Sequence, residues 1–481
     1  MKKNTENFCQ VLLNLGINNA KALVNLVMAL SSFKESKSVV GLSISPVYHY
    51  QYSSICDAID SLSSDDKSYE LVSTVLRQFC INYYESFDDI YRLNSDTIPI
   101  NKAHSLVLSE RSYIHVSNSV IKTNKPLGIG YRLSTLTLCG KLNWQLPLSM
   151  ELVSNQQTAT ECLLSQLSLM FTDKQLPFNE AKLVTNPLDR AYCNTQYLAP
   201  SFQYPNLVNI VRFRSGQKIW LQNIRTQTGG RNSIYDDNPY YLINESRTKT
   251  FKNKDTFTDK YQRSIFELPP DETSELCQIT PNGRKIILQI NRWKNLLFRS
   301  KKGNKMSDKP LDLVALTTID ALSGKCIFQE NLFIGICGKK KDELSIQQTV
   351  IEYQERYGIE PFFRFGKQNL FLESFQTPED QHLKNWFLVV QLAIWLLYQV
   401  AGEAPKVTPK WQQYLPKEKM RNPMILSLAQ AYKAAQNLFI TFDKSPFLPQ
   451  KSQKGKPRQK GDRQVIRVLK QIVLKKKKTP V

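Results

Sequence analysis

Four side chains in the last third of the sequence are spaced so that a helix would place them on one face. Tyr353, Arg356, Glu360 and Lys367 are separated by three, four and seven residues, and each of these steps returns to the same side of an α-helix. A carboxylate among a phenol, a guanidinium and an ammonium group is typical of a site where the carboxylate binds a metal ion and the cations bind phosphates. An ordinary i,i+4 ion pair between Arg356 and Glu360 on a solvated helix is the alternative.

The segment that contains these residues resembles a known family. Tyr-x2-Arg-x3-Glu-x6-Lys is the signature of a large group of bacterial insertion-sequence transposases with the DDE active site and a ribonuclease-H-like core. The surrounding text, RYGIEPFFRFGKQNLFLESFQTPEDQH, is similar to the C-terminal block of one branch of these enzymes. The resemblance covers about residues 90 to 460, with gaps in the middle. It implies an enzyme that binds terminal inverted repeats, cleaves the DNA ends and joins the 3′-OH ends to target DNA.

Two further acidic residues follow from the resemblance. The family uses an aspartate at the end of a first core strand, and YRLNSDTIPI supplies Asp96 there, with Asp88 and Asp89 as competitors. The second aspartate ends another strand and is commonly followed three residues later by Tyr, as Asp189 is by Tyr192 in AKLVTNPLDRAYCNTQYLAP. A helix N-cap is the alternative role of Asp189, and the two roles are compatible.

The resemblance implies catalysis by metal-bound carboxylates. Phosphodiester cleavage needs an activated water and a stabilised leaving 3′ oxygen, and two divalent cations roughly 3.5–4 Å apart provide both. We therefore expect Asp96, Asp189 and Glu360 to be catalytic and to hold two Mg²⁺ (or Mn²⁺) ions per site, since Mg²⁺ prefers carboxylate oxygens. The DNA-binding residues that the resemblance implies come from the signature and from the basic strand NLVNIVRFRS: Tyr353, Arg356, Lys367, Arg212 and Arg214.

The sequence departs from the family next to Glu360. Relatives continue the helix after the glutamate, whereas here Pro361 follows it and Gly358 precedes it. Either the helix kinks at this point, or a new helix starts with Pro361 in its first turn. The departure leaves a second function open, that of a non-catalytic DNA-binding protein such as a decayed transposase copy that retains end recognition. An RNA-binding protein is disfavoured because the sequence has no RRM or KH signature.

Two tryptophans lie among basic residues in the strand-like middle of the sequence. Related enzymes use an aromatic residue in this region to stack an extruded base, and Trp220 and Trp293 are the candidates here. Ordinary packing in a half-buried strand is the alternative for both.

The order of helical and strand-like segments predicts an α/β or α+β layer with helical ends. The resemblance narrows this to an α/β core of ribonuclease-H-like type, a mixed sheet with flanking helices, which a β-rich insertion interrupts. The predicted divisions are a helical DNA-binding domain (1–88), the first part of the core (89–215), the insertion (216–340), the second part of the core with the glutamate-bearing helix (341–402), a C-terminal helical region (403–449) and a flexible basic tail (450–481).

The charge of the chain favours a polyanionic partner. There are 64 Lys and Arg residues against 42 Asp and Glu, a formal net charge of +22. Residues 450–481 contain twelve basic residues and one acidic residue, so half of the excess lies in the predicted tail. Together with the resemblance, this predicts binding to double-stranded DNA, both inverted repeats and target, by a homodimer in the synaptic complex.

Other features of the composition disfavour secretion and membrane insertion. No apolar run reaches the 18 or so residues that span a bilayer. The nine cysteines include no CxxC pair, which favours reduced thiols in a cytoplasmic protein, here expected to be prokaryotic and nucleoid-associated. The four histidines are far apart in sequence and form no cluster with cysteines, so the sequence predicts no structural zinc site.

Overall fold

A computed structural model of the 481-residue chain describes residues 3–33, 35, 38–63, 66–83, 90–116, 126–223, 234–253, 256–280, 282–299, 304–404, 425–440 and 467–474. The chain divides into two units. We call them the helical unit (Met1–Glu85, Thr97–Leu163 and Gly358–Val481) and the sheet unit (Ser86–Asp96 and Leu164–Tyr357). The boundaries divide strand β1, so its first half belongs to the sheet unit and its second half to the helical unit.

The elements are numbered in chain order. The helices are α1 (Lys3–Leu13), α2 (Ala20–Leu30), α3 (Val39–Leu42), α4 (Ser53–Asp60), α5 (Asp66–Tyr83), α6 (Ala159–Thr172), α7 (Thr195–Ser201), α8 (Ile346–Glu355), α9 (Ile359–Asn369), α10 (Asp380–Glu403) and α11 (Leu428–Ile440). The strands are β1 (Ile90–Asn101), β2 (Ser112–His115), β3 (Leu127–Cys139), β4 (Gln145–Leu152), β5 (Leu183–Leu188), β6 (Leu207–Arg212), β7 (Lys218–Ile219), β8 (Tyr240–Tyr241), β9 (Arg247–Asn253), β10 (Thr256–Ser264), β11 (Glu272–Ile279), β12 (Lys285–Leu296), β13 (Leu311–Asp320) and β14 (Leu332–Cys337).

The sheet unit is built on a mixed sheet in the order β1-β5-β6-β14-β13-β12-β11. The pairs β1–β5 and β5–β6 are parallel, whereas the pairs from β6 to β14 and onward to β11 are antiparallel. Strands β5 and β6 are almost wholly buried, as expected for parallel strands covered on both faces. Helix α8 packs against this sheet, and its Val350 joins the core formed by Val208, Ile210 and Val314. The predicted α/β fold with a mixed sheet and flanking helices is confirmed.

The region predicted as a β-rich insertion, 216–340, contributes to two sheets. Strands β11 to β14 extend the sheet that already contains β5 and β6, because β14 pairs with β6. Strands β7 to β10 form a smaller sheet in the order β7-β8-β10-β9. Only part of this region therefore has a sheet of its own.

The helical unit is organised around α10. The two tryptophans of this helix are fully buried: the indole N–H of Trp386 donates to the Phe371 carbonyl and that of Trp395 to the Pro147 carbonyl. Helices α1, α2, α4, α5 and α11 and strand β4 all pack on α10. The N-terminal helices, predicted as a domain of their own, therefore share a unit with the C-terminal helices, because both groups bury their apolar faces on α10.

Helix α10 explains the longest apolar run of the sequence. Among the described residues, it is the helix long and apolar enough to cross a membrane by length and composition. In the structure 94% of its most apolar window is buried within the protein. Helix α10 is therefore a core helix of the helical unit.

Part of the predicted basic tail is described and lies against the helical unit. Residues 467–474 form no helix. The Lys470 amide donates to the Leu106 carbonyl over 2.9 Å, and the Val473 amide donates to the Arg111 carbonyl over 2.7 Å. The buried Arg111 guanidinium donates to the Lys470 carbonyl over 3.0 Å. The rest of the predicted tail, 450–466 and 475–481, lies outside the described residues.

A buried charge network supports the sheet unit and leads to a testable prediction. The Asp312 carboxylate is fully buried and accepts hydrogen bonds from Arg292 and from the Lys341 ammonium group, both over 2.6 Å. Changing Asp312 to Ala should lower the free energy of unfolding by about 3–5 kcal/mol, because two cations would stay buried without their carboxylate. Urea denaturation measures this loss. Asp308→Ala, which removes a carboxylate with 70% of its side chain exposed, should change stability by less than about 0.5 kcal/mol; equal losses would contradict the assignment.

Candidate active site

The pairing register of the parallel strands relates three predicted site residues. Strand β1 pairs with β5 at an offset of 93 positions from Ile90–Leu183 to Arg92–Thr185, and Asp96 and Asp189 are also 93 positions apart. Strand β5 pairs with β6 at an offset of 23 positions, which is the separation of Asp189 and Arg212. Continued beyond the recorded pairs, both registers would bring Asp96, Asp189 and Arg212 level on neighbouring strands; we call these three residues the row.

These three residues lie on the sheet face that α8 covers. Residues an even number of positions apart on a strand share a face, so Asp96 shares its face with Arg92, and Asp189 shares its face with Thr185. The buried carboxylate of Glu352 in α8 accepts hydrogen bonds from Arg92 over 2.8 Å and from the Thr185 hydroxyl over 3.0 Å. Asp96 and Asp189 therefore each lie four residues beyond a residue, Arg92 or Thr185, that binds Glu352.

Arg356 provides the positive charge at this row. It follows the last residue of α8, and its guanidinium lies 3.6 Å from an Asp96 carboxylate oxygen with only 7% of the side chain exposed. Its backbone carbonyl accepts a hydrogen bond from the Asn94 side chain over 3.1 Å. Burial alone would lower the pKa of Arg356, but Tyr353 and the carboxylates of Asp96 and Asp189 outweigh burial and raise it. A permanent cation therefore faces both aspartates.

Tyr353 occupies the core rather than the surface. Its side chain is 1% exposed and belongs to the cluster that joins α8 to the sheet. Burial raises the pKa of its hydroxyl, which has no hydrogen-bond partner among the described residues. The signature predicted a DNA contact for Tyr353, but a ring that fills the space between helix and sheet has almost no surface for DNA.

The structure answers two of the questions left open around the acidic residues. Asp189 precedes the 3₁₀ turn Arg190–Tyr192, yet its carboxylate makes no capping hydrogen bond there, so its oxygens remain for other ligands. After α8, a 3₁₀ turn at Arg356–Gly358 is followed by α9, which begins at Ile359. Pro361 thus lies in the first turn of a new helix, where amide groups have no intrahelical acceptor and a proline is tolerated.

The remaining predicted residues, Glu360, Lys367 and Arg214, do not all belong to the same unit. Glu360 is exposed in the first turn of α9, which belongs to the helical unit. In the same unit the Lys367 ammonium donates to the Pro99 carbonyl over 2.8 Å and pairs with Glu373 at 3.0 Å. Arg214 is exposed just beyond the end of β6 in the sheet unit. The meeting of Glu360 with the two aspartates stays a prediction.

The two tryptophans proposed to stack an extruded base have different surroundings in the structure. Trp293 is 1% exposed, its N–H donates to the Leu268 carbonyl over 2.9 Å, and it packs edge-on against Phe266, so it has a packing role. Trp220 is half-buried and contacts Tyr235 edge-on at 6.0 Å between ring centroids. Asp88 and Asp89 lie outside the described residues.

Glu352 and Arg92 are important site residues that the sequence analysis missed. A helix returns to the same side after four residues, and Glu352 precedes Arg356 by four positions. This spacing was a usable signal, but it did not show that Glu352 would be buried against a strand 260 positions earlier.

The donor chemistry of the row suits a hard divalent cation. Asp96 and Asp189 provide carboxylate oxygens on neighbouring strands, the ligand type that Mg²⁺ prefers. Among the described residues, one group of three acidic or histidine side chains has its ligand atoms within 4.8 Å of one another, and it consists of Asp60, Glu379 and His382. That group contains neither aspartate of the row.

No protein-family model matches the chain, and no curated protein is significantly similar to it.

The anchoring role of Glu352 can be tested by its removal. Glu352→Ala should lower the free energy of unfolding by about 3 kcal/mol, because Arg92 and the Thr185 hydroxyl would lose a buried acceptor. Equilibrium urea denaturation checks this value. Glu343→Ala, which removes an exposed carboxylate just before α8, is the control and should stay within about 0.5 kcal/mol of the wild type. A small effect at Glu352 would show that α8 does not depend on this contact.

Proposed function

We propose that this chain is a DDE-type DNA transposase that cleaves the ends of an insertion sequence and joins them to target DNA. The observation that carries the proposal is that Asp96, on β1, and Asp189, directly after its parallel neighbour β5, both act electrostatically on Arg356, whose guanidinium lies 3.6 Å from Asp96. Carboxylates held near each other are the ligand type that hard divalent cations prefer. The signature and the block around it point to the same chemistry.

The strand arrangement supports a ribonuclease-H-like core. Strand β1 has β5 as its parallel neighbour in the sheet unit, and β5 is followed by parallel β6. In the helical unit the order continues from the second half of β1 through β3, which pairs with antiparallel β4. One acidic residue lies on β1 and the next directly follows β5, which is where the resemblance expects them.

The acidic and the basic residues would have different roles in phosphodiester cleavage. Asp96 and Asp189, with Glu360 as the predicted third carboxylate, would hold Mg²⁺ ions, and bound Mg²⁺ supplies water activation and charge stabilisation. Arg356 places a positive charge beside Asp96. Arg212, half-buried at the end of β6, and the exposed Arg214 are placed to neutralise phosphates of DNA near the row.

The partners follow from this function. Double-stranded DNA is the substrate both as inverted repeat and as target, and two copies of the chain would pair two ends in a synaptic complex. The net charge of +22 supports binding to a polyanion. A cytoplasmic, nucleoid-associated location in a prokaryote is part of the same proposal.

Metal-dependent nicking is the direct test of the function. Duplexes taken from the DNA on either side of the coding sequence should be nicked by the full chain at one position when Mg²⁺ is added. Asp96→Asn, Asp189→Asn and Glu360→Gln should each lower the nicking rate by about a thousandfold, because each removes a charge worth several kcal/mol in the transition state. Gel analysis of end-labelled DNA measures the rate.

The controls separate the catalytic proposal from its alternative. Asp308→Asn changes an exposed aspartate of the same unit and should nick at the wild-type rate. Binding of the end duplex should persist in all four variants. Specific binding without nicking by the wild type would instead identify a non-catalytic DNA-binding protein, and nicking by Asp189→Asn at the wild-type rate would remove that residue from the site.

The role of the basic side chain in the row can be read from salt dependence. Arg212→Gln should weaken binding to the end duplex and reduce the slope of log affinity against log salt by about one unit, as the loss of one phosphate contact would. Fluorescence anisotropy at several salt concentrations measures both quantities. Lys325→Gln, on the exposed hairpin between β13 and β14, should leave the slope unchanged. An unchanged slope for Arg212→Gln would place its charge away from DNA.

A further inference from the structure

A second group of ligand-type side chains lies in the helical unit. Asp60 is the last residue of α4, Glu379 precedes the first residue of α10, and His382 lies in the first turn of α10. One carboxylate oxygen of each acidic residue and a ring nitrogen of His382 all lie within 4.8 Å of one another. The two helices bring these atoms together from positions 322 residues apart in sequence.

The imidazole of His382 is oriented toward the two carboxylates. Its Nε2 atom contacts an Asp60 oxygen and lies 3.7 Å from a Glu379 oxygen. Its Nδ1 atom lies 3.4 Å from the Thr377 hydroxyl. A ring with one nitrogen toward acidic oxygens and the other held by a polar neighbour is the arrangement of metal-binding histidines. Only 13% of the His382 side chain is exposed, so this orientation is held by its surroundings.

The backbone that carries the three groups is held by bonds that do not involve them. The fully buried Asn385 side chain of α10 donates to the Ile59 carbonyl of α4 over 2.8 Å, one residue before Asp60. The Glu379 amide donates to the Thr377 hydroxyl over 3.2 Å. The end of α4 and the start of α10 are therefore fixed to each other, and ligand binding would require little ordering of the chain.

A cavity of about 310 Å³ adjoins the group. His382 lines it together with Tyr52 and Cys56 of the α4 region and with Phe371 and Phe375. Three ligand-type side chains therefore lie beside an accessible space.

We propose that Asp60, Glu379 and His382 bind one divalent transition-metal ion of the zinc class. One imidazole nitrogen and two carboxylate oxygens form a set that suits Zn²⁺ better than Mg²⁺, which takes oxygen ligands and seldom imidazole. Three protein ligands leave a fourth position for water or another small ligand. The sequence predicted no structural zinc site because its histidines are dispersed; here a single histidine meets acidic residues from another helix.

Because of the position of the site, a bound ion would stabilise the contact between α4 and α10. It joins the end of α4, in the N-terminal helices, to the start of the central helix α10. An ion that binds only the folded chain stabilises it in proportion to its occupancy. Zn²⁺ would therefore strengthen the attachment of the N-terminal helices to the rest of the helical unit.

A zinc titration of the full-length protein tests the proposal. The chelator-stripped chain, competed against a chromophoric zinc indicator at neutral pH in excess Mg²⁺, which would fill the proposed carboxylate site, should take up one equivalent of Zn²⁺, and its melting temperature should rise by a few degrees. His382→Ala and Asp60→Asn should each weaken this binding by more than about 100-fold, since loss of a ligand exceeds the loss of a supporting contact. Neither variant should gain thermal stability from Zn²⁺.

Matched controls exclude binding elsewhere. His104→Ala removes an exposed histidine of the same unit and should keep wild-type affinity. Asp60 is half exposed, so Asp60→Asn should fold even if His382→Ala does not, which circular dichroism shows. Wild-type affinity in Asp60→Asn, or no saturable uptake by the wild type, would overturn the proposal. Either result is independent of DNA cleavage.

Discussion

The parallel pairing of β1 with β5 and of β5 with β6 determines where the charged residues of the sheet unit meet. Because side chains alternate along a strand, a register shift of one residue would move Asp96 to the opposite face from Asp189. The observed offsets of 93 and 23 positions, continued beyond the recorded pairs, would keep both aspartates and Arg212 on one face. Glu352 then holds α8 to the same two strands through Arg92 and Thr185. This contact fixes the end of α8, where Arg356 lies beside Asp96. The candidate chemistry depends on that register more than on any single side chain.

Two carboxylates of the sheet unit, Asp312 and Asp96, differ in their burial and in the distance to their basic partners. Asp312 lies between Arg292 and Lys341, is fully buried, and has its charge balanced within the protein. Asp96 keeps 25% of its side chain exposed and faces Arg356 at 3.6 Å, a longer and less directional contact. A fully buried carboxylate between two cations contributes to folding, whereas a partly exposed one is accessible to a metal ion or a substrate. This difference distinguishes the row from the structural network.

The helical unit shows how one apolar helix can organise distant parts of a chain. Helix α10 is buried along most of its length and receives helices from both ends of the sequence. Its polar residues are placed where they have partners: Asn385 binds the Ile59 carbonyl, and His382 contacts Asp60. The same contacts that close the core around α10 also assemble the candidate zinc ligands. The start of α10 therefore contributes both to the packed core and to the candidate zinc ligands.

Several properties of this protein could be predicted from the sequence because they depend on local patterns. The short β-type runs AKLVTN and NLVNIVRFRS indicated strands, the run from Trp386 to Ala401 indicated a buried helix, and the charge excess is a matter of counting. Pro361 next to Gly358 limited the backbone to a kink or a new helix, and the second form is the one observed.

Other properties depended on contacts between residues far apart, which no local pattern encodes. Tyr353 was expected on the surface, but the sheet covers its face of α8 and buries it. Glu352 was overlooked because its partner Arg92 lies 260 positions away. The grouping of Asp60 with His382 and the level placement of Asp96 with Asp189 likewise appear only when strands and helices are paired, since register and packing, not residue type, decide which side chains become neighbours.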